Sequence, residues 1–178
     1  MRKTLKSLSL VMVFCLMATF FPMLGRNNPF TAYAANIDTI TKDGFTLTRN
    51  GLLIRYTGSG GDVVIPDGVT AIGGNAFLGK TNVTSITIPS TVTSIGNYAF
   101  KNCSSLTTLT IPKSVTTIGK DVFDGCTSLT AIYVESGSSK FATFYGVLYN
   151  VDYSKVIRYP EGRQDTSYNI PLATTIGD

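Results

Sequence analysis

Residues able to do chemistry are few in this chain, and their spacing argues against most reactions. The 178 residues include no His, which excludes Ser-His-Asp and Cys-His catalysis and every His-ligated metal site. Cys103 and Cys126 are too few ligands for zinc without histidine. The acids Asp43, Asp62, Asp67, Asp121, Asp124 and Asp152 share no phase that would set two carboxylates on one face for glycoside hydrolysis. Gly74-Asn75-Ala76-Phe77-Leu78-Gly79-Lys80-Thr81 matches the G-x-x-x-x-G-K-[ST] phosphate loop, whose chemistry needs free backbone N–H groups at a helix start. What remains is recognition rather than reaction. Tyr133, Tyr145, Tyr149, Tyr153, Arg158 and Tyr159 concentrate the residue types that carry binding at exposed interfaces. They form the candidate ligand-contact surface, against the plain alternative that most of these rings fill a core. No catalytic residue, cofactor or metal site is expected.

The elements that must position these residues are set by a 23-residue period. Ile65 to Thr87, Ile88 to Thr110 and Ile111 to Tyr133 align without gaps as I-P-x-x-V-T-x-I-G-x-x-[AV]-F, a variable turn, then [LV]-T-x-[IL]. Apolar residues recur at fixed phase: Ile65, Ile88 and Ile111; Val69, Val92 and Val115; Ile72, Ile95 and Ile118; Phe77, Phe100 and Phe123. One such unit cannot enclose a core, but stacked coils turn each position into a buried column. Within this register Ala76 and Phe77 are core positions equivalent to Ala99 and Phe100, so the 74–81 pattern is not a nucleotide site. Leu106 to Ile111 alternates as a strand does, and Pro66, Pro89 and Pro112 stand at strand ends, where a missing N–H costs least. Gly73, Gly96 and Gly119 close a second extended piece and are expected to supply a turn that a Cβ would obstruct. The x-x-[AV]-F segment allows at most one helical turn. Cys103 and Cys126 fall in adjacent coils; their parallel side chains suit buried free thiols better than a disulfide.

The repeat resembles the BspA-like class of leucine-rich repeat, [LV]-T-x-[IL]-x-I-P-x-x-V-T-x-I-G-x-x-[AV]-F-x-x-C, throughout 65–133. The fold is therefore expected to be a leucine-rich-repeat solenoid, a right-handed parallel β-rich superhelix. The resemblance implies a secreted or surface-displayed bacterial protein that serves in adhesion or protein binding. Lys80 departs from the Cys column, and as the end coil this position is expected to open to water. A second module occurs twice. Gly51 to Gly58 leads into the first I-P, while Gly146 to Tyr149 and Val156 to Pro160 lead into Ile170-Pro171; both copies carry Ile-Arg-Tyr. The first copy reads as an N-terminal cap with a hairpin over 35–64. The second reads as an enlarged coil over 134–169, with a hairpin tip at Asn150 to Ser154.

Charge and hydropathy place the chain outside the cytoplasm. Arg2, Lys3 and Lys6 precede an apolar run from Leu8 to Phe21, and Ala32-Tyr33-Ala34 offers a small-x-small cleavage site. That is the order of a secretory signal over 1–34, of a kind that suggests a Gram-positive cell. The run is too short to span a bilayer, so no membrane span is expected after cleavage. Residues 35–178 carry 11 basic and 11 acidic side chains, which argues against nucleic acid. Ile170 to Asp178 starts a further repeat, so the chain reads as a fragment. Two other readings accompany protein binding and adhesion: an accessory region of a larger secreted peptidase or glycosidase, and a spacer. The 35 Ser and Thr residues after Ala34 suit half-exposed strands; a ligand-binding Thr array is the sharper alternative.

Overall fold

The computed structural model describes residues 39–167 and 175–176. The export signal expected over 1–34 lies outside them, as does the terminal repeat apart from 175–176. The strands in chain order are β1 (Thr39–Lys42), β2 (Phe45–Thr48), β3 (Leu52–Tyr56), β4 (Gly61–Val64), β5 (Ala71–Ile72), β6 (Val83–Thr87), β7 (Ser94–Ile95), β8 (Thr108–Ile111), β9 (Thr117–Ile118), β10 (Ala131–Val134), β11 (Phe141–Phe144), β12 (Val147–Asn150), β13 (Lys155–Arg158) and β14 (Thr175–Ile176).

The chain is a β-solenoid of stacked coils about 23 residues apart, with no helix among the described residues. One side of the stack is built from β4 paired with β6 and β8 paired with β10, all parallel. A second side is the ladder β3-β5-β7-β9, which Ser94↔Thr117 and Ile95↔Ile118 extend in the same register as Ala71↔Ser94 and Ile72↔Ile95. The third side is a row of tight turns. In the first coil Ala76, Leu78 and Lys80 N–H groups donate three residues back, to Gly73, Asn75 and Phe77, at 3.3, 3.1 and 3.1 Å. A left-handed residue opens each turn, at Asn75 (φ 61°), Tyr98 (φ 59°) and Asp121 (φ 49°). That conformation cannot propagate a right-handed helix, so the segment ends as turns.

Burial follows the columns. Ile65, Ile88 and Ile111, Val69, Val92 and Val115, and Phe77, Phe100 and Phe123 are all buried. The phenylalanines continue an aromatic row that begins on Phe45: ring centroids are 4.9 Å apart for Phe45–Tyr56, 5.1 Å for Tyr56–Phe77, 5.4 Å for Phe77–Phe100 and 5.9 Å for Phe100–Phe123. Lys80 is half-buried rather than open, with its Nζ 5.8 Å from the Tyr56 ring centroid.

A Cβ on the repeated glycines would be obstructed as expected, but by the neighbouring coil rather than within a turn of their own. Gly73, Gly96 and Gly119 do not adopt positive φ; Asn75, Tyr98 and Asp121, two positions on, do. They are needed because consecutive coils touch there. A Cβ on Gly96 would sit 2.5 Å from the Gly74 nitrogen, and one on Gly73 2.7 Å from the Leu53 carbonyl oxygen.

The module seen twice in the sequence has one topology in both places. β1-β2-β3 is an antiparallel meander whose last strand pairs in parallel with β5. β11-β12-β13 is a second meander, and β13 pairs in parallel with β14. The first hairpin turns at Asp43 (φ 50°) and Gly44 (φ 81°), the second at Tyr145 (φ 49°) and Gly146 (φ 78°). Two successive positive φ values are the type I′ signature. The second strand is bulged at equivalent places, between Thr46 and Leu47 and between Leu148 and Tyr149.

Candidate functional site

The second meander is two-faced because side chains alternate along its strands. Leu148 joins the main core, with Phe141 and Ile157 half-buried against it. Val147, Tyr149 and Val156 form a separate small core on the opposite face, with Phe144 and Tyr153 packed on it. This division sorts the expected contact residues. Tyr149 is fully buried and cannot meet a partner: its ring stands 5.6 Å from that of Tyr153, on the face it shares with Val147. Its place in the contact surface is corrected on that ground. Tyr153 is half-buried. Tyr145 is 75% exposed at the hairpin tip; Tyr133 and Tyr159 are also exposed.

Three of the six come together. The Ile132 N–H donates to the Gly146 carbonyl at 2.8 Å, which sets Tyr133 on β10 beside the Tyr145 turn. Arg163, missed in the sequence, then bridges Tyr145 to Tyr159. Its Nη1 donates to the Tyr145 carbonyl, its Cζ lies 5.4 Å from the Tyr159 ring centroid, and its Nε donates to Asp165 Oδ2 at 2.5 Å. Tyr159 Oη donates to the same oxygen at 2.7 Å. These bonds hold the Asp165 carboxyl below its ordinary pKa, the Tyr159 contact contributing most and Arg163 next. Arg163 and Asp165 lie outside any repeat column, so no periodic signal marks them.

Arg158 points elsewhere. Its Nη2 donates to the Phe123 carbonyl at 3.1 Å and pairs with Glu161. It lines a cleft of about 630 Å³ between the third coil's turn and the second meander, together with Lys120, Asp121, Phe141 and Lys155. The candidate residues therefore divide three ways: Tyr133, Tyr145 and Tyr159 on an aromatic surface, Tyr149 and Tyr153 in the small core, and Arg158 in a cleft.

A family model described as "BspA type Leucine rich repeat region (6 copies)" matches residues 55–160. The chain belongs to the BspA-type leucine-rich repeat family. Among solved structures it is similar to the pneumococcal vaccine antigen PcpA, at 32% identity and TM-score 0.60 over 65% of this chain and 29% of that one. It is also similar to a leucine-rich cell surface protein of Faecalibacterium prausnitzii, at 28% identity and TM-score 0.57 over 65% of this chain and 37% of that one. The chain thus spans well under half the length of either relative. No curated protein matches it.

Features of this BspA-type chain that look chemical prove to be parts of the stack. In the 74–81 segment the Asn75, Phe77 and Gly79 amides donate to Asn97, Ala99 and Lys101 carbonyls, so the run of donors that a phosphate needs is spent on the next coil. The Thr columns are hydrogen-bonded to the preceding coil: Thr93 and Thr116 hydroxyls donate to Thr70 and Thr93 carbonyls at 3.2 and 3.3 Å. Thr91 and Ser114 do the same to Val69 and Val92, both at 2.6 Å. These hydroxyls lace coils together, and this weighs against a ligand-binding array. Among the described residues no group of three or more Cys, Asp or Glu side chains gathers as a metal site would need, and no helix is long and apolar enough to cross a membrane.

Cys103 and Cys126 are buried free thiols, donating to the Phe77 and Phe100 carbonyls at 3.2 and 3.1 Å. Burial pushes Cys103 up to about 12 and Cys126 up to about 11. The thiolate is the reactive form, so in the native chain both should resist a disulfide reagent at pH 8 and react fully in denaturant. A raised folded pKa also means that their stabilising effect is complete below the ordinary thiol value of 9.0 and is lost as pH climbs towards 11–12. Urea titrations should show stability falling above pH 9; a flat profile up to pH 11 would contradict the burial of these thiols.

Proposed function

We propose that this chain is a non-catalytic protein-binding and adhesion module displayed outside a Gram-positive bacterial cell, with the enlarged coil as its contact surface. Family membership, the cell-surface relative in F. prausnitzii and the secretory pattern over 1–34 support this reading. The observation that carries it is Tyr145. In the first meander the same turn position holds Asp43, a residue type suited to positive φ. In the second it holds a 75% exposed tyrosine at φ 49°. A bulky residue in that region costs about 1–2 kcal/mol, and its edge-on contact with Phe144 at 4.5 Å offsets part of this at a wet site. Strain held on an exposed aromatic side chain points to recognition. Tyr133 and Tyr159 extend the surface on either side, and Arg163 fixes its geometry.

Tyr145→Asn separates the two roles. Stability in urea should stay within about 0.5 kcal/mol of the parent or rise, because Asn tolerates this backbone. Beads coated with the variant should lose at least five-fold in adhesion to epithelial-cell layers and immobilised extracellular matrix proteins, relative to parent beads. Unchanged adhesion removes this surface from the reading. Parent beads that adhere to nothing would favour the spacer or accessory-region alternative, for which the larger size of both structural relatives leaves room.

A further inference from the structure

Each coil hands three backbone N–H groups to the coil after it. Asn75, Phe77 and Gly79 donate at 3.0, 2.8 and 2.8 Å to Asn97, Ala99 and Lys101. Tyr98, Phe100 and Asn102 donate at 2.9, 3.0 and 2.7 Å to Lys120, Val122 and Asp124. Asp121, Phe123 and Gly125 are the next three in the series. Gly125 finds an acceptor that is not backbone, the Glu161 Oε1 carboxylate oxygen at 3.1 Å. The amides of Asp121 and Phe123 donate to nothing among the described residues.

The cause is a seam in the stack. After the third coil the chain does not lay down a fourth in register; it repeats the opening meander. The first sheet ends at β9, and β13 belongs to another sheet and pairs onward with β14. The cleft of about 630 Å³ lies along this seam. Ile118 shows the interruption directly: it is half-buried, whereas Ile72 and Ile95 in the same column are 1% and 2% exposed. Three basic side chains and one acidic one line the cleft: Lys120, Lys155, Arg158 and Asp121. The Arg158 Nε is buried there without a hydrogen-bond partner.

We propose that the seam cleft is a second binding site, which takes an acidic peptide segment of a partner protein on its two open amides. In the coils before, such a pair donates to carbonyls two residues apart on a turned segment, Asn97 with Ala99 and Lys120 with Val122, so a peptide that turns in the same way can satisfy both. Acidic side chains on that segment answer the basic lining, and Glu161 already shows a carboxylate oxygen seated on the third amide of the row. The proposal shares with the preceding section only the reading that the chain binds protein. It uses none of the tyrosines, so either can fail alone.

The test uses the full chain, nitrogen-15 labelled, titrated with an alternating Glu-Val octapeptide, its Lys-Val counterpart and inorganic phosphate. The Glu-Val peptide should bind saturably and slow hydrogen exchange at the Asp121 and Phe123 amides at least ten-fold, with Gly125 unchanged. Lys155→Glu, on an exposed side chain, should weaken binding at least ten-fold, and Lys155→Gln less. Tyr145→Asn should leave peptide affinity intact. The proposal is overturned by equal binding of the Lys-Val peptide, by displacement with equimolar phosphate, or by binding that leaves the two amides exchanging as before. Protection of both amides in the free chain, which would place the chain's own residues on that edge, also overturns it.

Discussion

Gly96→Ala should destabilise the chain by about 3 kcal/mol or more, a larger effect than a single methyl ordinarily produces. The added Cβ would meet only backbone: the Gly74 nitrogen at 2.5 Å, the Gly73 carbonyl carbon at 2.8 Å and the Gly74 Cα at 3.0 Å. No rotamer can relieve such a clash. The coils must separate locally, and doing so strains the Gly96 N–H bond to Ile72 and the Thr93 N–H bond to Thr70, both 2.8 Å. Gly74→Ala is the matched control. Its Cβ would approach nothing nearer than the Asn97 carbonyl oxygen at 3.3 Å, and its φ is not positive, so its cost should stay within about 1 kcal/mol. Urea unfolding of the two variants reads the difference. Equal midpoints would mean that coil spacing at the glycine column is looser than described.

Those glycines mark the boundary of what the sequence displays. Period and phase were legible because burial acts on every coil alike: the Val69, Val92 and Val115 column repeats as a letter and is buried as a group. The duplicated module was legible for the same reason, since Ile54-Arg55-Tyr56 and Ile157-Arg158-Tyr159 read as copies. The purpose of Gly73, Gly96 and Gly119 was not, because a close approach between coils and a left-handed turn both select glycine. Only the positive φ at Asn75, Tyr98 and Asp121 separates them.

Tyr149 illustrates a different loss. Its type suggested a surface contact, but which face it occupies depends on strand register, and the bulge between Leu148 and Tyr149 shifts that register. The sister strand does not supply the face: Leu47, at the matching place beside the matching bulge, is partly buried against the main core, whereas Tyr149 packs in the small core on the opposite face. Backbone donors are harder still. Nothing in the letters of Asp121 and Phe123 tells that their amides lack partners, for Asn75, Tyr98, Phe77 and Phe100 fill the same columns with theirs bonded.

Arg158 connects the duplicated module to the seam. Its counterpart Arg55 lies on a strand with no coil before it among the described residues; Arg158 follows three coils and reaches back to the Phe123 carbonyl. One local motif therefore does two jobs according to what precedes it. In the second setting a module shaped to begin a stack must lie against the end of another; it bonds to the β10 side through backbone, Ile132 to Gly146 and Gly162 to Leu129, but on the turn side it meets that end through Arg158 and Glu161. This is why basic side chains and open amides collect at one place in a chain whose net charge after residue 34 is zero.

Phe100→Ala should cost about 3–5 kcal/mol, the range for emptying a buried aromatic site. Phe100 is 0% exposed and central in its column, touching Phe77 on one side and Phe123 on the other. Its loss removes both ring contacts and opens a void between coils whose separation the backbone ladder fixes at the Phe77 to Ala99 and Phe100 to Val122 bonds, 2.8 and 3.0 Å. The site therefore has little freedom to collapse. In a stack where each coil touches only its neighbours, stability is close to a sum of coil and interface terms, so the damage is localised. Unfolding of the variant should divide into two steps, the third coil and second meander separating from the opening meander and first coil. Leu78→Ala, at a side chain 45% exposed, should change stability by no more than about 0.5 kcal/mol and keep one transition. A Phe100→Ala chain that lost under about 1 kcal/mol and still unfolded in one step would show that the aromatic column does not carry cohesion between coils.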